Sequence, residues 1–520
     1  MKKLVSLLLI AAFVLAIAGC GKNEESAELG KISMWTWLGS EEVWGGKTKD
    51  IMAMQDFAKT MKVDLDIINP SGDAGEAFNL MMTKGDKLPD MVFYSWSPKR
   101  VMDYSKKQRI VNIAPYIEKY MPNFNKLLQS NPRLKAQMYT EDGGVYYLPW
   151  ISMDKIFYEG MMMRGDWLAA VNMPAPTTVD QLHATLLAMK KQADAGKLPG
   201  TGGSKFLGFS GFPLQFYKWL YGFGTCHEFQ LADDGKTVEY GPTTDNYRKA
   251  MVYFNTMYKE GLIDPDIFAN DGDTYKKHHL ANQTACFVDN LGTFEQIQKD
   301  AAGLNNKIDY VAVPYPLYNG EAVPREYNST AKRIAQPYGF ALTVKNEQRL
   351  IKILQVMDWK YSAEGQTLFN WGVEGKTFSK DANGAKVYSD LIMKDPKYAP
   401  GIAQSKYVKV DFTVEDTQTV WALVNDFGKN VYKVWANTNS KYAYEPTLWY
   451  TADEMAIMGK TQTDINTYRD EMRDKFVAGK LDPRDDAVWK NYLETLTKMG
   501  QGDWLKVEQA AYDRFTARLK

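Results

Sequence analysis

The chain has 520 residues, more than one simple core holds, and this size points to two or three domains. Lysine plus arginine and aspartate plus glutamate both number 63, and a zero net charge argues against the basic face by which a duplex nucleic-acid binder displaces counterions, and against an obligate polyanion receptor. The hydrophobic content of 45% is that of a globular protein, and 14 Trp with 31 Tyr supply many rings that can cover apolar ligand faces.

The first twenty residues read as an address rather than as fold. Met1-Lys2-Lys3 is a positive start, residues 4–17 are an apolar run, and Ile17-Ala18-Gly19-Cys20 closes it with small residues and a cysteine. The run is shorter than the roughly 20 residues that span a bilayer. The pattern resembles the lipobox of bacterial lipoproteins, which implies cleavage before Cys20 (a signal peptide over 1–19) and lipid on its thiol. A plain secretory signal with an incidental cysteine is the alternative. Residues 21–28 (GKNEESAE) fit a tether between lipid and fold. No later stretch reads as membrane-spanning.

Residues 31–38 (KISMWTWL) predict a first strand ending in Trp35 and Trp37. A helix is expected over 43–61, an alternating strand over 62–68, a second helix over 73–84 and a third strand over 91–94. Strand and helix in this order predict a parallel α/β layer, whose ligands bind beyond the carboxyl ends of strands. Trp35 and Trp37 sit at one such end, and Tyr94, Ser95 and Trp96 at another. Residues 148–158 predict a further strand, with Pro149 at a bend and Trp150 behind it. Thr178 and Gln181 have capping-box spacing at the start of a helix. A helix over 246–260 stops at Gly261. Short strands follow at 285–288 and 310–313, the first leading into Asp289 and Asn290. Residues 348–364 read as helical. The stretch from Thr451 onward is helix-rich and opens on a second capping box with Glu454. No single linker divides the chain, and prolines at the expected crossings predict two lobes interleaved in sequence.

Beyond the leader only Cys226 and Cys286 remain, expected as two buried thiols with a disulfide as the alternative. His183, His227, His278 and His279 stand in no HExxH or CxxC context, which argues against a zinc enzyme.

Five stretches together resemble the carbohydrate-type solute-binding proteins of bacterial ABC importers, extracellular family 1, in their long lipoprotein branch. They are GDKLPDMVFY (85–94), GGVYYLPW (143–150), MRGDWLAAVNMPAPTTVDQL (163–182), YKEGLIDPD (258–266) and WGVEGKTF (371–378), in register over 31–520. The resemblance implies an α/β, two-lobed, periplasmic-binding-protein-like fold of type II with a helix-rich C-terminal region. Lobes are expected over 30–155 with 317–375, and over 156–316 with 376–520, behind the lipidated Cys20 and tether (20–29). It implies sugar capture by hinge closure, delivery to an ABC permease, no catalysis and no cofactor. It further implies a monomer anchored by lipid on the extracellular face of the cell membrane. Some relatives carry an EF-hand-like calcium loop after the Pro-x-Thr helix. The corresponding QADAGKLPG (192–200) retains only Asp194, whereas a calcium cage needs several oxygens, so no metal is expected. Asp271 and Asp273 in NDGDTYKK (270–277) lack a downstream bidentate glutamate, and a solvated turn is expected there.

A sugar ring has apolar C–H faces and a rim of hydroxyls, so its site needs aromatic plates and polar edges. Trp35, Trp37, Tyr94, Ser95 and Trp96 are candidates for one wall. Trp150 is a candidate beside the first crossing, and Tyr217 and Trp219 in the second lobe. Asp289 and Asn290 are candidate edge contacts, and Trp371 precedes the Gly-Val-Glu-Gly turn. Core packing is the alternative for each Trp, and is the expectation for Trp167, Trp421, Trp435, Trp449, Trp489 and Trp504. A cell-surface glycoside hydrolase is a competing reading, but its two carboxylates carry no signal among 63 acids, and no GxSxG elbow is present. A glycan-binding sensor or adhesin would use the same cleft without transport.

Overall fold

In the computed structural model, which describes residues 30–37, 45–153, 159–212, 217–318, 323–326, 333–445 and 447–520, strands and helices alternate from the start. The leader, Cys20 and the tether lie outside the described residues, as do the start of the helix expected over 43–61 and the end of the strand expected over 148–158. In chain order the strands are β1 (Lys31–Thr36), β2 (Asp64–Ile68), β3 (Met91–Ser95), β4 (Leu148–Ile151), β5 (Glu159–Arg164), β6 (Leu207–Phe209), β7 (Phe229–Leu231), β8 (Val238–Tyr240), β9 (Thr284–Asn290), β10 (Tyr310–Val313), β11 (Ala335–Leu342), β12 (Phe378–Lys380) and β13 (Lys386–Tyr388).

One sheet has the order β2-β1-β3-β11-β4 and a second the order β10-β5-β9-β6. β1 pairs in parallel with β2 and β3. The helices Met52–Met61 and Ala74–Lys84 make the crossovers that parallel pairing requires. Met91 to Tyr94 are all buried, as an unbroken apolar run must be when its strand is covered on both faces. The first core joins this sheet to Phe412, Val414 and Trp449. Those three residues lie beyond the return to the second lobe expected at 375. The second core gathers β5, β6, β9, the helices Val179–Asp194 and Asp245–Lys259, and the C-terminal helices Ala452–Val477, Asp486–Lys498 and Gln501–Ala517.

The chain therefore passes between the sheets more than once, and the crossings lie side by side. Ile151 donates its amide to the Thr413 carbonyl (3.0 Å), Glu415 donates to the Ile151 carbonyl (2.7 Å), and Ser152 donates to the Ile334 carbonyl (3.0 Å). The Ser152 hydroxyl also reaches the Glu415 carboxylate at 2.7 Å. Beneath them the buried Lys360 ammonium donates to the carbonyls of Pro149 and Phe412.

Local expectations are refined in three places. The helix expected over 348–364 is two helices, Glu347–Asp358 and Ala363–Trp371, separated by a 3₁₀ turn, because Ser362 caps the second by accepting the Gly365 amide at 3.1 Å. The turn expected at 270–277 is a helix start: Asp271 caps Gly272–Leu280 by accepting the Thr274 amide at 2.8 Å. Thr178 caps its helix, but the Gln181 side chain returns to the Thr177 amide, one residue early, whereas the Thr451–Glu454 box is complete. Cys226 and Cys286 are separate buried thiols, both pushed up in pKa by burial. Among the described residues no helix is long and apolar enough to cross a membrane.

Candidate ligand-binding cleft

Because β1 and β3 run parallel, with Thr36 opposite Phe93, their carboxyl ends share one edge. The Tyr94 ring there stacks on Phe78 with centroids 4.0 Å apart, meets Trp35 edge-on at 5.7 Å and approaches Trp37 at 6.2 Å. Arg100 lies 5.0 Å from the Tyr94 centroid and donates to the Ser95 carbonyl at 2.9 Å. Trp35 and Tyr94 are mostly buried, whereas Trp37 and Ser95 are partly exposed. Trp37 is thus the most exposed ring of this aromatic cluster.

Trp96 is not part of it. Its side chain is 1% exposed, its Nε1 donates to the Gly339 carbonyl at 3.0 Å, and its ring meets Phe78 and Tyr104 edge-on. After β3 the chain turns into the helix Pro98–Lys106, capped by Ser97, and this turn carries Trp96 under β11. Trp150 is partly exposed on β4, beside the crossings, and its Nε1 is shielded from solvent without a partner among the described residues.

The second lobe presents a polar set. Glu159 opens β5 opposite Asn290, and Gly160 lies opposite Asp289 at the carboxyl end of β9. Asn290 caps the helix Leu291–Gly303, accepting the Thr293 amide at 2.8 Å, and Asp289 accepts the Asn290 amide at 2.7 Å. Lys218 pairs with Glu159. Burial pulls its pKa down to about 8, against the opposing pull of the Asp289 and Glu326 carboxylates. Burial likewise pushes the Glu295 carboxyl, further along that helix, up to about 7. Lys218, Glu159 and Glu295 were missed in the sequence; the one signal was a lysine inside the aromatic run FYKWLY.

Three other candidates serve packing. Tyr217 stacks on His227 at 4.0 Å, and the Arg473 guanidinium lies 4.7 Å from its ring centroid. Trp219 is fully buried against Phe209, 4.7 Å away. Trp371 stacks on Tyr388 at 4.8 Å and donates to the Asp416 carboxylate at 2.7 Å, at the centre of a small separate core. Of the tryptophans expected in the core, Trp421 alone is partly exposed, edge-on to Tyr432.

Asp194 is occupied by Lys190, whose ammonium lies 2.8 Å away, and among the described residues no group of three His, Cys, Asp or Glu is placed to hold a metal. Chelation is accordingly expected to leave the melting temperature within ~1 °C. A drop on adding EDTA, reversed by calcium, would show a cation site.

Residues 45–367, more than half of the chain, match the bacterial extracellular solute-binding protein family. The chain belongs to this family. The fructooligosaccharide ABC transporter substrate-binding protein FusA of Streptococcus pneumoniae is 25% identical to this solute-binding protein, over 98% of both chains. Lipoprotein LipO of Bacillus subtilis is 25% identical over 78% of this chain and 80% of its own. Among solved structures, alginate-binding protein AlgQ2 without calcium ion matches with a TM-score of 0.76 at 21% identity, covering 94% of this chain and 99% of that one. FusA in complex with kestose matches with a TM-score of 0.74, also at 21% identity and with the same coverage. The fold is that of two-lobed solute-binding proteins, a family of binding proteins rather than enzymes.

Proposed function

We propose that this solute-binding protein captures an oligosaccharide between its lobes, closes by hinge motion and delivers it to an ABC permease. It works as a monomer, held at the extracellular face of the cell membrane by lipid on Cys20. The observation that carries the reading is the aromatic wall of Trp37 and Tyr94 at the ends of β1 and β3, together with the polar set at the end of β9, joined by adjacent crossings. Rings cover the C–H faces of a sugar at small entropic cost. Carboxylates and amides at the edge satisfy its hydroxyls, and each group left unpaired costs about 1–3 kcal/mol. Crossings tied by a few hydrogen bonds are where hinge closure concentrates its dihedral change. Names of relatives agree with this reading: fructooligosaccharide for FusA and alginate for AlgQ2.

The test is intrinsic tryptophan fluorescence of the soluble form from Ala27 onward, titrated with neutral and acidic oligosaccharides while thermal stability is followed. A saturable shift with a raised melting temperature is expected for one class, without release of reducing ends. Trp37→Ala should weaken that binding by about tenfold or more, the loss expected when one stacked ring is removed. A folded protein silent to every sugar would overturn the reading.

A further inference from the structure

The root of the crossings holds a buried lysine that pairs with no carboxylate. Lys360 is 1% exposed and lies in the 3₁₀ turn Trp359–Tyr361, between two helices. Its Nζ donates to the Pro149 carbonyl at 3.2 Å and to the Phe412 carbonyl, and it lies 3.9 Å from the Tyr361 centroid. Burial pulls its pKa well below the usual lysine range, against the opposing pull of Asp411 and Asp358. Both carboxylates are engaged elsewhere. Asp411 stands 3.9 Å from the Lys409 ammonium, and Asp358 accepts the Asn123 and Phe124 amides at 3.1 and 2.9 Å. A methionine of similar length would fill this place without desolvating an amine, so the polar head calls for a functional explanation.

The explanation lies in what the Nζ holds together. Pro149 is on β4, which leads toward β5 in the second lobe. Phe412 is on the later passage that leads to the helix Asp426–Trp435, packed with β5 and β10. Lys360 therefore bonds two separate passages at once, beside the point where Ile151 and Glu415 tie them to each other. The same turn adds further ties. The Tyr361 hydroxyl donates to the Pro149 carbonyl at 2.8 Å, and the Lys360 carbonyl accepts from the Thr413 hydroxyl. On the next helix, Asn370 Nδ2 donates to the Val414 carbonyl at 2.8 Å, and its Oδ1 takes the Asp416 amide at 2.8 Å. Both passages are thus fastened to one stretch of the first lobe, from Lys360 to Asn370.

We propose that Lys360 is a positioning residue of the hinge: its Nζ pins the two passages into one block with the first lobe, so that closure turns on the second-lobe side of this block and not within it. The inference rests on the hinge-closure reading above and goes beyond it by naming where the rotation stops. A hinge with a fixed root reaches one closed geometry rather than a spread of them, which lowers the ordering cost of binding.

Hydrogen exchange of the soluble form, without ligand, tests the pin in Lys360→Met, which keeps the reach of the side chain and removes its donors. Exchange over 148–153 and 410–416 should quicken about tenfold or more beyond any change in β3 and β9. Equal quickening of all four segments would show a lysine that only supports the fold, and no quickening of the first two would show no pin; either result overturns the inference. Asp358→Asn is the control, because Asp358 is a neighbouring buried group whose hydrogen bonds stay within the first lobe. It should lower the melting temperature without singling out those two segments, and the same selective quickening there would overturn the assignment to Lys360. Should Lys360→Met not fold, the parent decides: 148–151 and 412–415 must exchange as slowly as β3, and faster exchange overturns the pin. Whichever of kestose, maltotriose and xylotriose binds the parent should bind Lys360→Met about threefold or more weaker, although Lys360 is closed to solvent. Equal affinity overturns the positioning role. A folded parent silent to these and to every sugar of the fluorescence panel overturns the carbohydrate reading, and the exchange measurement, which needs no sugar, still decides the pin.

Discussion

Trp96→Ala is expected to destabilise the protein by about 3–5 kcal/mol, the usual cost of emptying a buried indole site. The ring fills the space under β11 between Phe78 and Tyr104, and its Nε1 satisfies the Gly339 carbonyl. Alanine would leave a cavity and take one donor from the Gly339 carbonyl. The site cannot collapse easily, because β11 already approaches β4 so closely that a Cβ on Gly339 would lie 2.4 Å from the Leu148 carbonyl oxygen. Thermal or denaturant melts measure the loss, which should appear without any sugar present. Trp37→Ala provides the contrast: its larger effect should be on binding, its smaller one on stability. If Trp96→Ala melted like the parent protein but lost the ligand, Trp96 would be a cleft residue after all.

Acid should weaken the fold well above the carboxylate range. His279 is 1% exposed among Tyr275, Phe287 and Tyr310; its Nδ1 shares a hydrogen bond with the Tyr310 hydroxyl and its Nε2 has no partner among the described residues. Burial, then the nearby charges of His278 and Arg164, pull its pKa down from 6.5 to about 3. Above pH 6.5 neither the folded nor the unfolded chain binds a proton there, and nothing is lost. Below it the unfolded chain takes up a proton that the folded chain refuses, at about 1.4 kcal/mol per pH unit, so that on the order of 4 kcal/mol is gone near pH 3. His227, lowered to about 3 by burial and by Arg469, adds to the loss in the same window. Asp395, held at about 2 with Lys406 and backbone amides as partners, adds nothing until the pH falls below its ordinary 3.8. Melting temperature followed from pH 7 to pH 3 should therefore fall steadily, and less steeply in His279→Phe. Equal slopes in parent and variant would remove His279 from the account.

Much of the architecture was legible because it is local. The apolar run at 91–94, the alternation at 62–68 and the cap residues Thr178 and Thr451 each depend on neighbours within a few positions, and each appears as an element boundary or a strand. Motif order over the chain was enough to point to the family. The refinements fall where a short polar side chain decides between continuing and stopping a helix, as Ser362 and Asp271 do.

The site was less legible, for a different physical reason. A strand's pattern shows which residues share a face but not what covers that face. Tyr94 and Trp96 share one face by alternation, yet Tyr94 joins Trp35 and Trp37 at the strand end while Trp96 finds its acceptor on Gly339, 243 positions away. Trp371 is claimed by Asp416 and Trp219 by Phe209, partners that no spacing announces. The same holds for what was missed. Lys218 becomes half of an ion pair only where the fold brings it beside Glu159. The sequence by itself determined the elements, their order, the two-lobed class and the family. Tertiary structure alone decided which rings are core and which polar groups were left without a protein partner, because burial and hydrogen-bond satisfaction belong to pairs of residues far apart in the chain.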